Sequence, residues 1–148
     1  MIVVFDANVA VTLSLPRSQS SPLYDRLLEM GHEIAISPRI FAEVKEKMLH
    51  KASLRAWLCM SDEEIDAFLI RLPKITTVTE GIVEIEGVVR NDPKDDHIVA
   101  AAIESKATFI VTEDKHLLQI NFWRGIRIVD RQTLLAELDD TDNGSTGT

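Results

Sequence analysis

Apolar positions along the chain alternate between runs of strand character and stripes of helical spacing. Residues 1–5 (MIVVF) form an unbroken, mostly β-branched run, the pattern of a strand buried on both faces, and it stops at Asp6-Ala7-Asn8. Residues 9–15 then read as a short helix that Asp6 could cap. Residues 16–21 are a polar loop. Pro22, in the first helical position, starts a helix with Leu23, Leu27 and Leu28 toward the core and Gly31 as its stop. Residues 34–36 give a second strand. Ser37-Pro38 is a cap and first-turn pair for a helix with Ile40, Phe41, Val44 and Met48 on one side. Residues 52–60 continue this helix or join it to the next, which has Ser61 and Glu64 at capping-box spacing, buries Ile65, Phe68, Leu69 and Leu72, and stops at Pro73. Residues 74–79 read as a strand and residues 82–89 as a short edge strand that Gly87 interrupts.

The stretch NDPKDDHIVAAAIESKATFIVTEDKHLL, residues 91–118, organises the rest. Pro93 pre-sets a helical φ, so Asp92 falls at a cap position and Asp95 and Asp96 in the first turn, where the positive end of the helix dipole favours anions. Ile98, Ala101, Ala102 and Ser105 give a narrow face that suits close packing on a sheet. Residues 108–112 follow as a buried parallel strand with Glu113 and Asp114 at its carboxyl end, the edge where open α/β sheets place ligands. A helical turn (115–120), a last strand (126–129) and a closing helix (133–138) complete the pattern.

This order predicts an α/β fold, three layers with a mostly parallel sheet of about five strands, as one domain over residues 1–138. Residues 139–148, rich in Asp, Ser, Thr and Gly, read as a disordered tail. With 45% hydrophobic and 27% charged residues, the 148-residue chain has the composition of a soluble globular protein. No apolar run is long enough for a membrane span, and the single cysteine, Cys59, favours a reducing, cytoplasmic setting.

Net charge is −8, and its distribution matters more than its total. Residues 1–60 carry 7 Lys/Arg against 6 Asp/Glu, and residues 61–148 carry 9 against 18. Any role on nucleic acid therefore needs a local basic strip or metal ions to offset repulsion. Arg39, Lys45, Lys47, Lys51 and Arg55 form the locally basic stretch, and the first four are candidate RNA contacts.

Taken singly, each acid has an ordinary explanation as a helix cap or a solvated charge. Together, Asp6, Asp96 and Asp114 fall at the carboxyl edge of one sheet, with Glu43 able to join them from about 60° off Ile40 on its helix. Such a cluster must protonate, repel or bind a cation, and an all-oxygen set suits Mg²⁺ or Mn²⁺. A hard dication there can activate water and align a phosphodiester.

Asp6-Ala7-Asn8, Glu43, the Asp96-His-Ile-Val-Ala-Ala-Ala helix start and Val111-Thr-Glu-Asp114 together resemble the PIN domain family over about residues 1–138. The DPKDD…VTEDKHL wording is similar to PIN-family toxins of toxin–antitoxin systems, relatives of the VapC toxins. The resemblance implies a Mg²⁺/Mn²⁺-dependent endoribonuclease acting on RNA, with a small antitoxin and a homodimer as expected partners. It implies Asp6, Glu43, Asp96 and Asp114 as the acidic quartet, Asp6, Asp96 and Asp114 as metal ligands, and Asn8, Ser37 and Thr112 as polar supports. Asp92 and Asp95 are further acids, either of which could substitute as a ligand. Two alternatives stand beside this: a non-catalytic protein- or RNA-binding module of the same fold, and an aspartate-based phosphatase. The second lacks its usual second Asp, since Asn8 stands two residues after Asp6.

Overall fold

β1 (Ile2–Phe5) becomes the middle of the sheet because its side chains from Val3 onward can all be buried, and they are. The protein, a computed structural model describing residues 1–15, 22–90 and 92–146, continues with α1 (Ala7–Val11) and a 3₁₀ turn (Thr12–Ser14). Next come α2 (Pro22–Glu29), β2 (Glu33–Ile36), α3 (Pro38–His50), α4 (Ala52–Leu58), α5 (Asp62–Ile75) and β3 (Thr77–Val78). An irregular strap over residues 80–90 and a second 3₁₀ turn (Pro93–Asp95) lead to α6 (Asp96–Ser105), β4 (Phe109–Val111), α7 (Lys115–Ile120), β5 (Phe122–Trp123), β6 (Ile126–Val129) and α8 (Arg131–Thr146). The loop expected at 16–21 lies outside the described residues.

The six strands lie in the order β3-β2-β1-β4-β6-β5, all parallel except β5. The sheet has one strand more than expected. Arg124 and Gly125 both take positive φ, 48° and 84°, which closes β5 onto β6 as a two-residue hairpin. Phe5 pairs with Val111 and Val111 with Val129, so the residues that follow these three strands emerge together at one sheet edge. Asp6 and Thr112 are two of them.

Several local expectations are corrected. Leu28 is exposed, whereas Leu23 and Leu27 are buried as expected. Pro73 does not stop α5, which runs on to Ile75; proline sits one turn from the end, where few helical bonds are left to lose, and the Thr76 hydroxyl donates to the Leu72 carbonyl at 2.8 Å. Residues 74–76 therefore belong to α5 and its cap, and β3 is only two residues long. α8 runs from Arg131 to Thr146, and the Thr141 hydroxyl turns back to the Glu137 carbonyl at 2.9 Å. Ile2 to Phe5, Ile40/Val44/Met48 and the Ser61–Glu64 capping box match the pattern they were read from, whereas Met1 lies outside β1 and is exposed.

The segment at 82–89 is not a strand. Its two ends are tied to one helix, α6, by two carboxylates. Glu104 accepts from the backbone N–H groups of Gly81, Ile82 and Val83 at 2.9, 2.8 and 3.3 Å, and Asp96 accepts from those of Gly87, Val88 and Val89 at 2.9, 3.1 and 2.7 Å. Gly81 allows this course, since at φ +78° a Cβ would meet the Pro38 ring at 3.2 Å. Val89 fills the core beneath the strap. Among the described residues, no helix is long and apolar enough to cross a membrane.

Candidate active site at the carboxyl edge of the sheet

Asp6 follows β1 and caps α1, its Oδ1 accepting from the Val9 N–H at 3.0 Å. The register of β1 with β4 sets Thr112 beside it, and the Thr112 hydroxyl donates to Asp6 Oδ2. The same hydroxyl accepts from the Asp114 N–H at 3.0 Å. One buried threonine therefore fixes two acids. Asp114 in turn caps α7, its Oδ1 accepting from His116 N at 2.8 Å and Leu117 N at 3.2 Å. Burial pushes the Asp6 carboxyl above its usual range, and the charge of Asp114 adds to that; Thr112, the Val9 N–H and Lys47 pull the other way without reversing it.

α1 packs on α3, which carries Glu43 beside its buried stripe of Ile40, Val44 and Met48. Arg39, Glu43 and Lys47 share one row at four-residue spacing. Lys47 Nζ donates to Asn8 Oδ1 at 2.8 Å, so Asn8 steadies a lysine and not a carboxylate. Glu43 Oε1 lies 2.8 Å from His97 Nε2, in an orientation outside hydrogen-bonding geometry, which makes the contact an electrostatic pairing. Burial alone would raise the Glu43 carboxyl, but His97, then Lys47 and Arg39, hold it below its usual range. Ser37 is buried, and its hydroxyl is used to cap α3 by accepting from Ile40 N at 3.1 Å; it orients no carboxylate. Lys45 and Lys51 are exposed, Lys45 facing away from the Glu43 row and Lys51 capping the helix end. Arg39 lines a cleft of about 490 Å³ with Glu84, Glu86, Asp96 and His97.

Asp96 and Asp95, adjacent where the 3₁₀ turn meets α6, stand in different surroundings. Asp96 is buried, and its two carboxylate oxygens accept from three strap amides. Asp95 sits one residue earlier on the 3₁₀ turn, half-buried, within the field of Asp92, Asp114 and Glu43. Burial first, then those like charges, push its carboxyl up to about 6 against the opposing pull of His97. A carboxyl held this high among other acids marks negative charge without enough compensation. Asp92, half-buried, makes no capping hydrogen bond, although its sequence position suggested one. Asp6 and Asp95 each feel the charge of Asp114, and a hard dication beside these carboxylates would relieve the repulsion and the burial cost together. Sequence reasoning missed His97 and His116; the signal available for each was a histidine adjacent to, or two residues past, a helix-start acid.

Asp95 and Asp6 have higher carboxyl pKa values in the folded protein than in the unfolded chain, so the folded state binds more protons at pH 5–6. Their contribution to stability is accordingly greatest below the ordinary carboxyl value of 3.8 and is lost as pH rises through about 6. Glu43, shifted downward, acts only at lower pH. Chelator-treated protein is expected to melt at higher temperature at pH 5.5 than at pH 7.5, and Asp95→Asn or added Mn²⁺ to shrink the difference. A wild-type midpoint that falls from pH 7.5 to 5.5 would contradict this.

Residues 2–116 match a family model described as PIN domain. No curated protein matches the chain significantly. Two solved structures share the fold. One is PAE2754 from Pyrobaculum aerophilum, with a TM-score of 0.55 and 19% identity, covering 95% of this chain and 96% of that one. Another is VapBC2 from Rickettsia felis, solved bound to a DNA fragment from the promoter, with a TM-score of 0.51 and 17% identity, covering 86% of this chain and 97% of that one.

Proposed function

The chain belongs to the PIN domain family, and from that premise we propose that it is a divalent-metal-dependent endoribonuclease, the toxin of a toxin–antitoxin pair. The observation that carries the proposal is the joining of Asp6, Thr112 and Asp114 by one buried hydroxyl, with Asp95 raised to about 6 by burial and then by the acids around it. Asp6, Asp95 and Asp114 would hold Mg²⁺ or Mn²⁺. Asp95 replaces Asp96 in that set because three strap N–H groups occupy the Asp96 carboxylate, one more than the hydrogen bonds Asp6 accepts, while Asp95 makes no capping hydrogen bond. When bound, the cation supplies Lewis-acid charge for a phosphodiester and lowers the pKa of water.

The remaining work falls to side chains. Glu43, kept ionised by His97, Lys47 and Arg39, accepts a proton from the attacking water. Lys47, braced by Asn8 and next to Asp6 and Glu43, is placed to contact an RNA phosphate, and Arg39 to contact a neighbouring one. Lys45 and Lys51, away from this row, would contribute at most to longer-range attraction. The likeness to VapBC2 supports a small antitoxin as partner, and the family reading also includes a homodimer and a cytoplasmic setting. An aspartate-based phosphatase is disfavoured, since Asn8 stands where such an enzyme carries a second Asp two residues after the nucleophile.

The test is cleavage of mixed-sequence single-stranded RNA by the purified chain. We expect cleavage with Mn²⁺ or Mg²⁺ and none with chelator, and Lys47→Ala to raise KM about tenfold while Lys45→Ala changes it less than about twofold. Tight RNA binding that ignores chelator, without cleavage, would favour the binding-module alternative.

A further inference from the structure

His116 brings a nitrogen ligand to an otherwise all-oxygen set. One ligand atom from each of Asp92, Asp114 and His116 lies within 4.8 Å of the other two. The cap geometry of Asp114 contributes to this arrangement: Oδ1 receives the N–H groups of His116 and Leu117, and among the described residues no hydrogen bond engages Oδ2. Asp92 makes no capping hydrogen bond of its own. His116 Nδ1 is 3.9 Å from Asp92 Oδ2, too far for a hydrogen bond. Ligands bound at about 2.0–2.2 Å to one small dication stand roughly 3–4 Å apart, so the spacing suits an ion between the two groups. Both side chains are partly open, at 45% and 32% exposure, which leaves room for water and for a phosphate oxygen to complete the coordination.

The imidazole changes the chemistry of the site. Mg²⁺ takes oxygen ligands and keeps its water, whereas nitrogen donors favour first-row transition ions. We propose that Asp92, Asp114 and His116 form a mixed oxygen–nitrogen cation site that shares Asp114 with the Asp6–Asp95 cluster and makes the protein select a first-row transition dication over Mg²⁺. The inference rests on the divalent-cation reading of the neighbouring cluster and adds to it a ligand, a second position and a selectivity.

Mn²⁺ titrated into the full-length protein and followed by electron paramagnetic resonance tests it without any assay of activity. The bound Mn²⁺ of the wild type is expected to show coupling to an imidazole nitrogen. His116→Gln, a substitution at a half-exposed position, should lose that coupling and weaken Mn²⁺ binding about tenfold or more, with Mg²⁺ competition changing less than about twofold. Asp92→Asn should weaken Mn²⁺ in the same way. Bound Mn²⁺ without nitrogen coupling, unaffected by His116→Gln, would overturn the mixed site and leave the ribonuclease reading standing. Failure of the folded wild type to bind Mn²⁺, together with RNA cleavage indifferent to chelator, would overturn the divalent-cation reading itself.

Discussion

Asp6→Asn is expected to cut RNA hydrolysis by at least about 100-fold while leaving the thermal midpoint unchanged or slightly raised. The two effects separate because Asp6 is costly to the fold and necessary to the site. Its carboxylate is 5% exposed, and burial outweighs the hydrogen bonds from Thr112 and Val9 and the charge of Lys47, so its ionised form is held at a net disadvantage. Asparagine retains an oxygen to accept the Val9 N–H and cap α1, and it removes a buried charge. What it cannot do is donate negative charge to a cation shared with Asp114 and Asp95. Initial rates on one RNA, with melting curves of the same preparations, measure both quantities. Undiminished turnover in this variant would remove Asp6 from the active site.

Asp96→Ala is expected to do the reverse. One buried carboxylate receives three backbone N–H groups of the strap, charge-assisted bonds whose donors are left without partners when the side chain is cut back. A loss of about 2–4 kcal/mol in urea unfolding is expected, with Val89 losing its seat in the core as the strap loosens. Hydrogen exchange at the amides of Gly87, Val88 and Val89 should accelerate more than exchange in β1 or β4. Asp96→Asn, which keeps one acceptor oxygen, should fall between wild type and Asp96→Ala in stability and retain most activity under conditions where it is folded. Abolished hydrolysis in Asp96→Asn with those three amides as protected as in wild type would instead return Asp96 to the catalytic set.

The contrast between these two aspartates shows which parts of the molecule the pattern of residues could disclose. Unbroken apolar runs such as Val3 to Phe5 and Ile110 to Val111 announce buried parallel strands, and the acids that follow them must emerge at one edge, so Asp6 and Asp114 were legible from position alone. Glu43 was legible from its angle to Ile40. The different surroundings of Asp95 and Asp96 were not, because adjacent residues at a helix start differ by about 100° in direction, and what each meets depends on where the 3₁₀ turn gives way to α6. The partner that claims Asp96 is a strap with Gly87 at φ +76°, and no local periodicity reveals that tertiary pairing. The strap itself has the valine, isoleucine and glutamate alternation of an edge strand, but its ends are held by side chains of α6 in place of a neighbouring strand. β5 was missed for a shorter reason: two residues carry no alternation, and the positive φ of Arg124 is an unusual way to enter a hairpin.

The most direct test of a divalent cation held by Asp6, Asp95 and Asp114, with Asp96 outside the set, is calorimetric titration of Mn²⁺ into wild type, Asp6→Asn and Asp96→Asn at pH 7. Saturable binding in wild type, at least about tenfold weaker binding in Asp6→Asn and near-wild-type affinity in folded Asp96→Asn is the predicted result. Binding that survives in Asp6→Asn and vanishes in a folded Asp96→Asn would contradict it.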